Sequence, residues 1–281
     1  MASAPDQTTT GPGFDGASLD AIAEVLAEIA ISAGPAIMDI YRQDHAARAK
    51  SDGSPVTEAD ERAEAIIHAR LQAFAPMIPI VAEEAVAAGC QIEIGRQFFL
   101  VDPLDGTREF LKGNGEFTVN VALVRDGAPV AGAVYAPAQD LLWVGGERAW
   151  TCSVPLGGAV PTQRRPLQTR PAPERLTALA SRSHRDAETE AFLLRLPIEE
   201  LTSAGSSLKF CVLAEGKADV YPRFGPTMEW DTAAGDAVLR AAGGTVLGAD
   251  GAPFTYGKIS SGLKNGAFVA WGDRAAARRY G

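Results

Sequence analysis

The chain has 281 residues, 46 % of them hydrophobic, which supports one large domain or two smaller ones sharing an interface. Its 26 lysines and arginines stand against 35 aspartates and glutamates, a formal charge of −9, and this excludes a general nucleic-acid binder held by phosphate contacts. A small anionic substrate would need local help from metal ions or a few well-placed cations.

Residues 1–16, rich in Ser, Thr, Gly and Pro, lack the basic and apolar blocks of a signal peptide and read as a disordered tail. From residue 19 to 41, Ile22, Val25, Leu26, Ile29, Ile37 and Ile40 recur at helical spacing, which predicts a long amphipathic helix, or a helix pair broken at Gly34-Pro35. No uninterrupted apolar run reaches the roughly 20 residues of a membrane span. The string SPVTEADERAEAIIHARLQAF predicts a second helix ending near Phe74, with Thr57 as its N-cap three residues before Asp60. Apolar runs at 78–82, 98–101, 116–124 and 129–135 predict strands, the last two joined by an Arg125-Asp126-Gly127 turn. Residues 155–173, dense in Gly, Pro and Arg, read as a surface connection near a domain boundary. Beyond it, strands at 176–180, 198–202, 218–221, 245–247 and 267–270 alternate with helices at 187–196, 207–215 and 230–242, an α/β pattern. The expected organisation is therefore a tail (1–16), an α+β part (17–155) and an α/β part (156–281). The odd, widely spaced Cys90, Cys152 and Cys211 match neither a disulfide framework nor a zinc site and read as buried or half-buried thiols in a reducing compartment.

The most informative stretch is FFLVDPLDGTREF, where an apolar strand runs directly into Asp102 and Asp105, with Gly106 and Thr107 behind them. Two desolvated carboxylates so close together are costly unless cations neutralise them. Pro103 stiffens the turn, so both side chains and the Leu104 carbonyl can converge on one point, and such hard oxygens suit Mg²⁺. A plain β-turn with an Asp capping the next helix is the competing account. Three further places carry acids in comparable positions: Glu83 and Glu84 after a strand, Asp60 in the first turn of a helix, and Asp231 after Trp230 at the start of another. Each alone reads as a solvated turn or cap, and spacing does not bring them into one pocket.

The strings PVTEAD, AEE, DPLDGTREF and WDTAAGDAVLRAAGG, in this order across nearly all of residues 19–270, resemble the inositol monophosphatase superfamily of lithium-sensitive, magnesium-dependent phosphatases. GNGEFTVNVALV, SRSH and GSSLKFCVLAEGKADVYPRFGPTMEWDTAAG look like its CysQ-type 3'(2'),5'-bisphosphate nucleotidases. The resemblance implies a layered αβαβα sandwich of the inositol monophosphatase/fructose bisphosphatase type, α+β in its first part and α/β in its second, with the site between them. It implies hydrolysis of adenosine 3',5'-bisphosphate, and of its sulfated relative PAPS, by water activated on two or three Mg²⁺ ions, with inhibition by Li⁺. Glu83, Asp102, Asp105, Asp231 and the Leu104 carbonyl would ligate metal; Thr107 would orient the water, and Asp60 or Glu83 would take its proton. Backbone N–H groups of Gly106, Thr107 and Arg108 would cradle the scissile phosphate. His184, Ser206, Lys209 and Arg223 would hold the second phosphate, with Asp231 also facing substrate and Lys50 a weaker candidate. A general inositol or sugar phosphatase and a non-catalytic nucleotide sensor are the alternative readings. The implied partner is a small nucleotide, with no nucleic acid, no stable membrane span, and a monomer or homodimer in the cytoplasm; peripheral attachment to the cytoplasmic face of the inner membrane stays open.

Overall fold

The computed structural model describes residues 17–42, 48–49, 55–56, 58–91, 94–180 and 186–281; the tail, Lys50, Thr57 and His184 lie outside them. Helix α1 (Leu19–Tyr41) is followed by the paired β1 (Arg48–Ala49) and β2 (Pro55–Val56), then α2 (Glu58–Phe74), β3 (Ile80–Ala82), α3 (Glu83–Ala87), β4 (Gln97–Asp105) and α4 (Thr107–Lys112). Five strands follow: β5 (Thr118–Arg125), β6 (Ala128–Ala136), β7 (Leu141–Gly145), β8 (Ala149–Ser153) and β9 (Arg165–Pro166). Strands β3 to β9 make a seven-stranded sheet in sequence order, antiparallel except for the β3–β4 pair. The second half runs β10 (Leu176–Leu179), α5 (Ala187–Leu193), β11 (Ile198–Thr202), α6 (Leu208–Ala214), β12 (Val220–Arg223), α7 (Trp230–Ala241), β13 (Thr245–Gly248), β14 (Phe268–Trp271) and α8 (Arg274–Tyr280). Its five-stranded sheet has the order β11-β10-β12-β14-β13, with β14 antiparallel to both neighbours.

Strand periodicity sorts the core into layers. Along β4, Phe99 and Val101 turn toward α1 and α2, whereas Phe98 and Leu100 turn toward α6, α7 and the second sheet. On the far face of that sheet Leu176, Val220 and Trp271 pack against Phe192 and Leu193 of α5 and Ala276 and Ala277 of α8. The result is an αβαβα sandwich. Because both faces of the large sheet are covered, β5 reads as a nearly continuous apolar run rather than an alternating one.

Of the two expected readings, the single long helix is the one found, and α1 passes through Gly34-Pro35. Pro35 forfeits one helical hydrogen bond, but the helix is held by tertiary burial on β5, β6 and α2. Gly34 serves contact instead: a Cβ there would sit 2.7 Å from Tyr135 Cε1. By length and composition α1 is also sufficient to cross a membrane, and 67 % of its most apolar window is buried inside the protein. The β5–β6 turn is the tight hairpin expected, with Asp126 at φ 51° and Gly127 at φ 75°. Strands β7 and β8 and helix α8 carry no strong sequence signal; the two strands, five residues each, are fixed by their ladders to neighbours. Cys152 and Cys211 are buried thiols, but Cys90 is exposed, because the chain turns outward after α3.

Candidate active site

Strand β4 pairs regularly with β5 as far as Asp102 opposite Asn120, and the next pair is Asp105 opposite Thr118. The acids were expected in a turn beyond the strand; instead the strand continues and absorbs one extra residue as a bulge. Pro103, with no N–H, cannot donate to the ladder, which makes this the place where the bulge forms. Side chains three apart in a regular strand face opposite sides, so the extra residue is what turns Asp102 and Asp105 to the same side.

Asp102 is only 1 % exposed, and its Oδ1 accepts the Leu104 N–H at 3.0 Å. Asp105 Oδ2 accepts from Ser207 N at 2.6 Å, Ser207 Oγ at 2.8 Å and Asn120 Nδ2 at 3.4 Å. The Ser207 hydroxyl also lies 2.8 Å from the Asp231 carbonyl and accepts from Asn120 Nδ2 at 2.8 Å, so its single proton serves two acceptors in turn. At the head of α7, Asp231 Oδ2 accepts the Met228 N–H at 2.8 Å. Asp60 is 1 % exposed in the first turn of α2. Glu83 opens α3 directly after β3, and that helix start is fixed by Glu64 of α2, which accepts the N–H groups of Glu84 at 2.7 Å and Ala85 at 2.9 Å.

These acids feel one another. Burial pushes the Asp102 carboxyl well above the usual carboxylate range, and the charges of Glu83, Asp105, Asp231 and Asp60 push it further. Asp231 is likewise well raised, by burial first and then by Asp105 and Glu83, against the Met228 N–H and Arg223. Burial raises Asp105 too, while Lys209 and its bonds to Ser207 and Asn120 pull the other way. Acidic side chains from α2, α3, β4 and α7 therefore share one electrostatic neighbourhood.

The anion-binding candidates adjoin it. Gly106, at φ 93°, is the N-cap of α4; a Cβ there would lie 3.1 Å from the Glu116 carbonyl and 3.3 Å from Ser206 Cβ, so glycine lets the two loops touch. Ser206, itself at φ 42°, accepts from Thr118 Oγ1 at 3.3 Å. Thr107 Oγ1 donates to the Leu104 carbonyl at 3.4 Å, and Arg108 is exposed. Lys209, 6 % exposed, spends two N–H donors on the carbonyls of Ser206 at 2.7 Å and Ala204 at 3.2 Å. Burial lowers its pKa to about 8, although Asp105 acts to raise it. Arg223, 9 % exposed at the end of β12, donates Nε to the Gly225 carbonyl and Nη2 to the Pro226 carbonyl.

The structure thus brings together Asp60, Glu83, Asp102, Asp105 and Asp231, places Gly106 against Ser206, and sets Lys209 between the charges of Asp105 and Arg223. Ser207, Asn120 and Thr118 were not singled out from sequence. Ser207 meets Asp105 across 102 positions, and no local pattern signals that. Arg164, left without a role, pairs with Glu24 and lies over the Trp150 ring at 4.2 Å.

Among the described residues no three acidic, histidine or cysteine side chains already stand as a closed metal cage. The chemistry of the gathered acids nevertheless fits magnesium: the set is all oxygen, with Asp102 buried and Asp105 and Asp231 half-buried, and its charges repel one another.

Residues 18–277 match the inositol monophosphatase family. The 3'(2'),5'-bisphosphate nucleotidase CysQ of Shigella flexneri is 44 % identical over 244 residues, covering 85 % of this chain and 95 % of that protein. CysQ of Escherichia coli K12 is 43 % identical over the same length and coverage. Among solved structures, CysQ from Bacteroides thetaiotaomicron, described as a bacterial member of the inositol monophosphatase family, superposes with a TM-score of 0.74 at 38 % identity, covering 90 % of this chain and 97 % of that one. The inositol monophosphatase of Zymomonas mobilis gives 0.73 at 25 % identity, covering 94 % and 97 %. Fold, sequence match and the shared layering agree: the chain belongs to the inositol monophosphatase family.

Proposed function

We propose that this protein is a magnesium-dependent 3'(2'),5'-bisphosphate nucleotidase that hydrolyses adenosine 3',5'-bisphosphate to AMP and inorganic phosphate, and also accepts its sulfated relative PAPS. The observation that carries the reading is the mutual repulsion of buried Asp102 with Glu83, Asp105, Asp231 and Asp60, an arrangement that asks for divalent cations. The activity named for the CysQ relatives supports the nucleotide substrate. So does the presence of Lys209 and Arg223 beside the acids, since a substrate with two phosphates needs a second cationic anchor.

Glu83, Asp102, Asp105, Asp231 and the Leu104 carbonyl would hold two or three magnesium ions. When bound, these supply the positive charge that offsets the acids and the phosphoryl oxygens and acidify the attacking water. The chain's own groups do the rest. The Thr107 hydroxyl, whose proton is directed at the Leu104 carbonyl, offers its lone pairs to the water and so aims it at phosphorus. Asp60 or Glu83 takes the water's proton, and burial of Asp60 keeps bulk solvent from competing. The N–H groups of Gly106, Thr107 and Arg108 hold the transferring phosphate, while Ser206, Lys209 and Arg223, with His184, hold the other.

Phosphate release from adenosine 3',5'-bisphosphate and from inositol 1-phosphate, each with magnesium and with EDTA, tests the proposal. Release that is magnesium-dependent and faster on the nucleotide is expected. Equal rates in EDTA, or inositol phosphate as the better substrate, would overturn it.

A further inference from the structure

The start of α7, which carries Asp231, is not capped by a side chain of its own. It is tied instead to a distant segment, residues 256–265, by a set of buried bonds centred on Glu229. That carboxylate is fully buried, with Oε2 accepting Gly257 N at 2.6 Å and Oε1 accepting Lys258 N at 2.9 Å and pairing with Lys258 Nζ at 2.8 Å. Its backbone N–H donates to the Leu263 carbonyl at 3.0 Å. Asn265 closes the other side: its Nδ2 lies 2.7 Å from the Met228 carbonyl, 3.2 Å from Thr227 Oγ1 and 3.1 Å from Thr232 Oγ1, and its N–H donates to the Thr227 carbonyl at 2.9 Å. Met228, clamped between these two residues and bridged to Lys264, is the residue whose N–H fixes Asp231 Oδ2. The far end of the segment is anchored too, because Tyr256 donates its N–H to Gly127 of the β5–β6 turn and its hydroxyl to Asp236 of α7.

We infer that Glu229 is a positioning residue: through Gly257 and Lys258 it locks residues 256–265 onto the mouth of α7 and thereby presets the Asp231 carboxylate for a divalent cation. The argument is one of geometry and burial. A carboxylate removed from water and satisfied by two backbone N–H groups and an ammonium has one low-energy orientation, so the backbone on which Met228 and Asp231 sit is fixed before the cation arrives. Supporting groups of this kind that orient a ligand typically alter metal affinity by about 10–100-fold when replaced. The inference rests on Asp231 being a metal ligand, as proposed above, and the test separates the two.

Mn²⁺ binding to the full chain, read from the loss of the free-ion electron paramagnetic resonance signal, is compared for the parent and for Glu229→Gln, Asp231→Asn and Asp219→Asn. Gln at 229 must turn an amide toward one of the N–H groups it now accepts, so an affinity about 10-fold weaker is expected. Asp219→Asn breaks an equally buried pair with Arg170 just before β12, away from the mouth of α7 and from residues 256–265, and is expected to lower the melting temperature while leaving Mn²⁺ affinity unchanged. Asn265→Ala loosens the clamp from its other side and should weaken Mn²⁺ in the same direction, which keeps the inference testable where Glu229→Gln does not fold. Parent-like affinity in Glu229→Gln and Asn265→Ala with lost affinity in Asp231→Asn would overturn the inference alone. Equal losses in Asp219→Asn and Glu229→Gln would reduce Glu229 to a structural role and overturn it as well. Parent-like affinity in Asp231→Asn would overturn the metal reading beneath it.

Discussion

Replacing Asp102 by asparagine should make the metal-free protein more stable while removing its response to magnesium. The carboxyl is buried, its one short backbone bond is to the Leu104 N–H, and four other acids act on it unfavourably. Asparagine keeps the oxygen that accepts from Leu104 and deletes the charge. As a general order of magnitude, two like charges about 7 Å apart repel by about 2 kcal/mol at an effective dielectric constant of about 20. The cluster lowers its own cost by retaining protons, so the relief amounts to about one such pair, not four. That corresponds to a melting temperature about 3–4 °C higher in EDTA for a chain of this size. The sign with pH follows from the direction of the shift: a carboxyl raised in the folded state holds a proton that the unfolded chain releases near pH ~4. Stability of the metal-free parent is therefore fullest below that value and is lost as pH rises through the raised folded value, and the variant should show a flatter dependence. With magnesium at about 100 times its Kd, the parent should gain about 2.7 kcal/mol, and the variant should lose most of that gain. Scanning calorimetry in EDTA and in magnesium reads both effects. A variant less stable than the parent in EDTA would refute the reasoning, because it would mean that the Asp102 charge is satisfied without a cation.

Three other outcomes follow from particular contacts, and a fourth from the family likeness. Ser207→Ala keeps the N–H that Asp105 accepts but removes the hydroxyl shared with Asn120 and the Asp231 carbonyl; a loss of about 2 kcal/mol in stability, visible in urea unfolding, is expected. For Lys209, whose pKa is near 8, kcat/KM on adenosine 3',5'-bisphosphate should fall as pH rises through about 8 and the ammonium loses its proton, and Lys209→Gln should lack that limb of the profile. Gly34→Ala drives a methyl to 2.7 Å from Tyr135, so thermal unfolding should show a net destabilisation of about 1–3 kcal/mol, although alanine is the better helix former. Lithium should inhibit phosphate release at an ion site near Glu83, as the family likeness implies; a fully active enzyme under lithium would remove that expectation.

The layering was legible because burial leaves its mark on pattern: the helical spacing of Ile22, Leu26 and Ile29 and the double-faced apolar run of β5 both survive as seen. The candidate acids were legible for a different reason. A carboxylate at the end of an apolar strand is chemically out of place, so Asp102 and Asp105 stand out without any structure. What no single stretch could disclose was their meeting with Asp60, Glu83 and Asp231, since that depends on how α2, α3 and α7 close over the sheet; the family likeness alone supplied it. Gly34-Pro35 left one helix or two open because local propensity argues for a break, whereas tertiary packing against Tyr135 decides for one. The bulge at Pro103 and the Ser207–Asn120 support were invisible for the same cause: both exist only in the pairing of β4 with β5 and in a contact across 102 positions.

The central claim is that acids far apart in the chain gather around divalent cations. Anomalous diffraction from crystals grown with Mn²⁺ tests it most directly. The account predicts two or three strong peaks bounded by Glu83, Asp102, the Leu104 carbonyl, Asp105 and Asp231; an active protein with no peak among these oxygens, or with its ions held elsewhere, would contradict it.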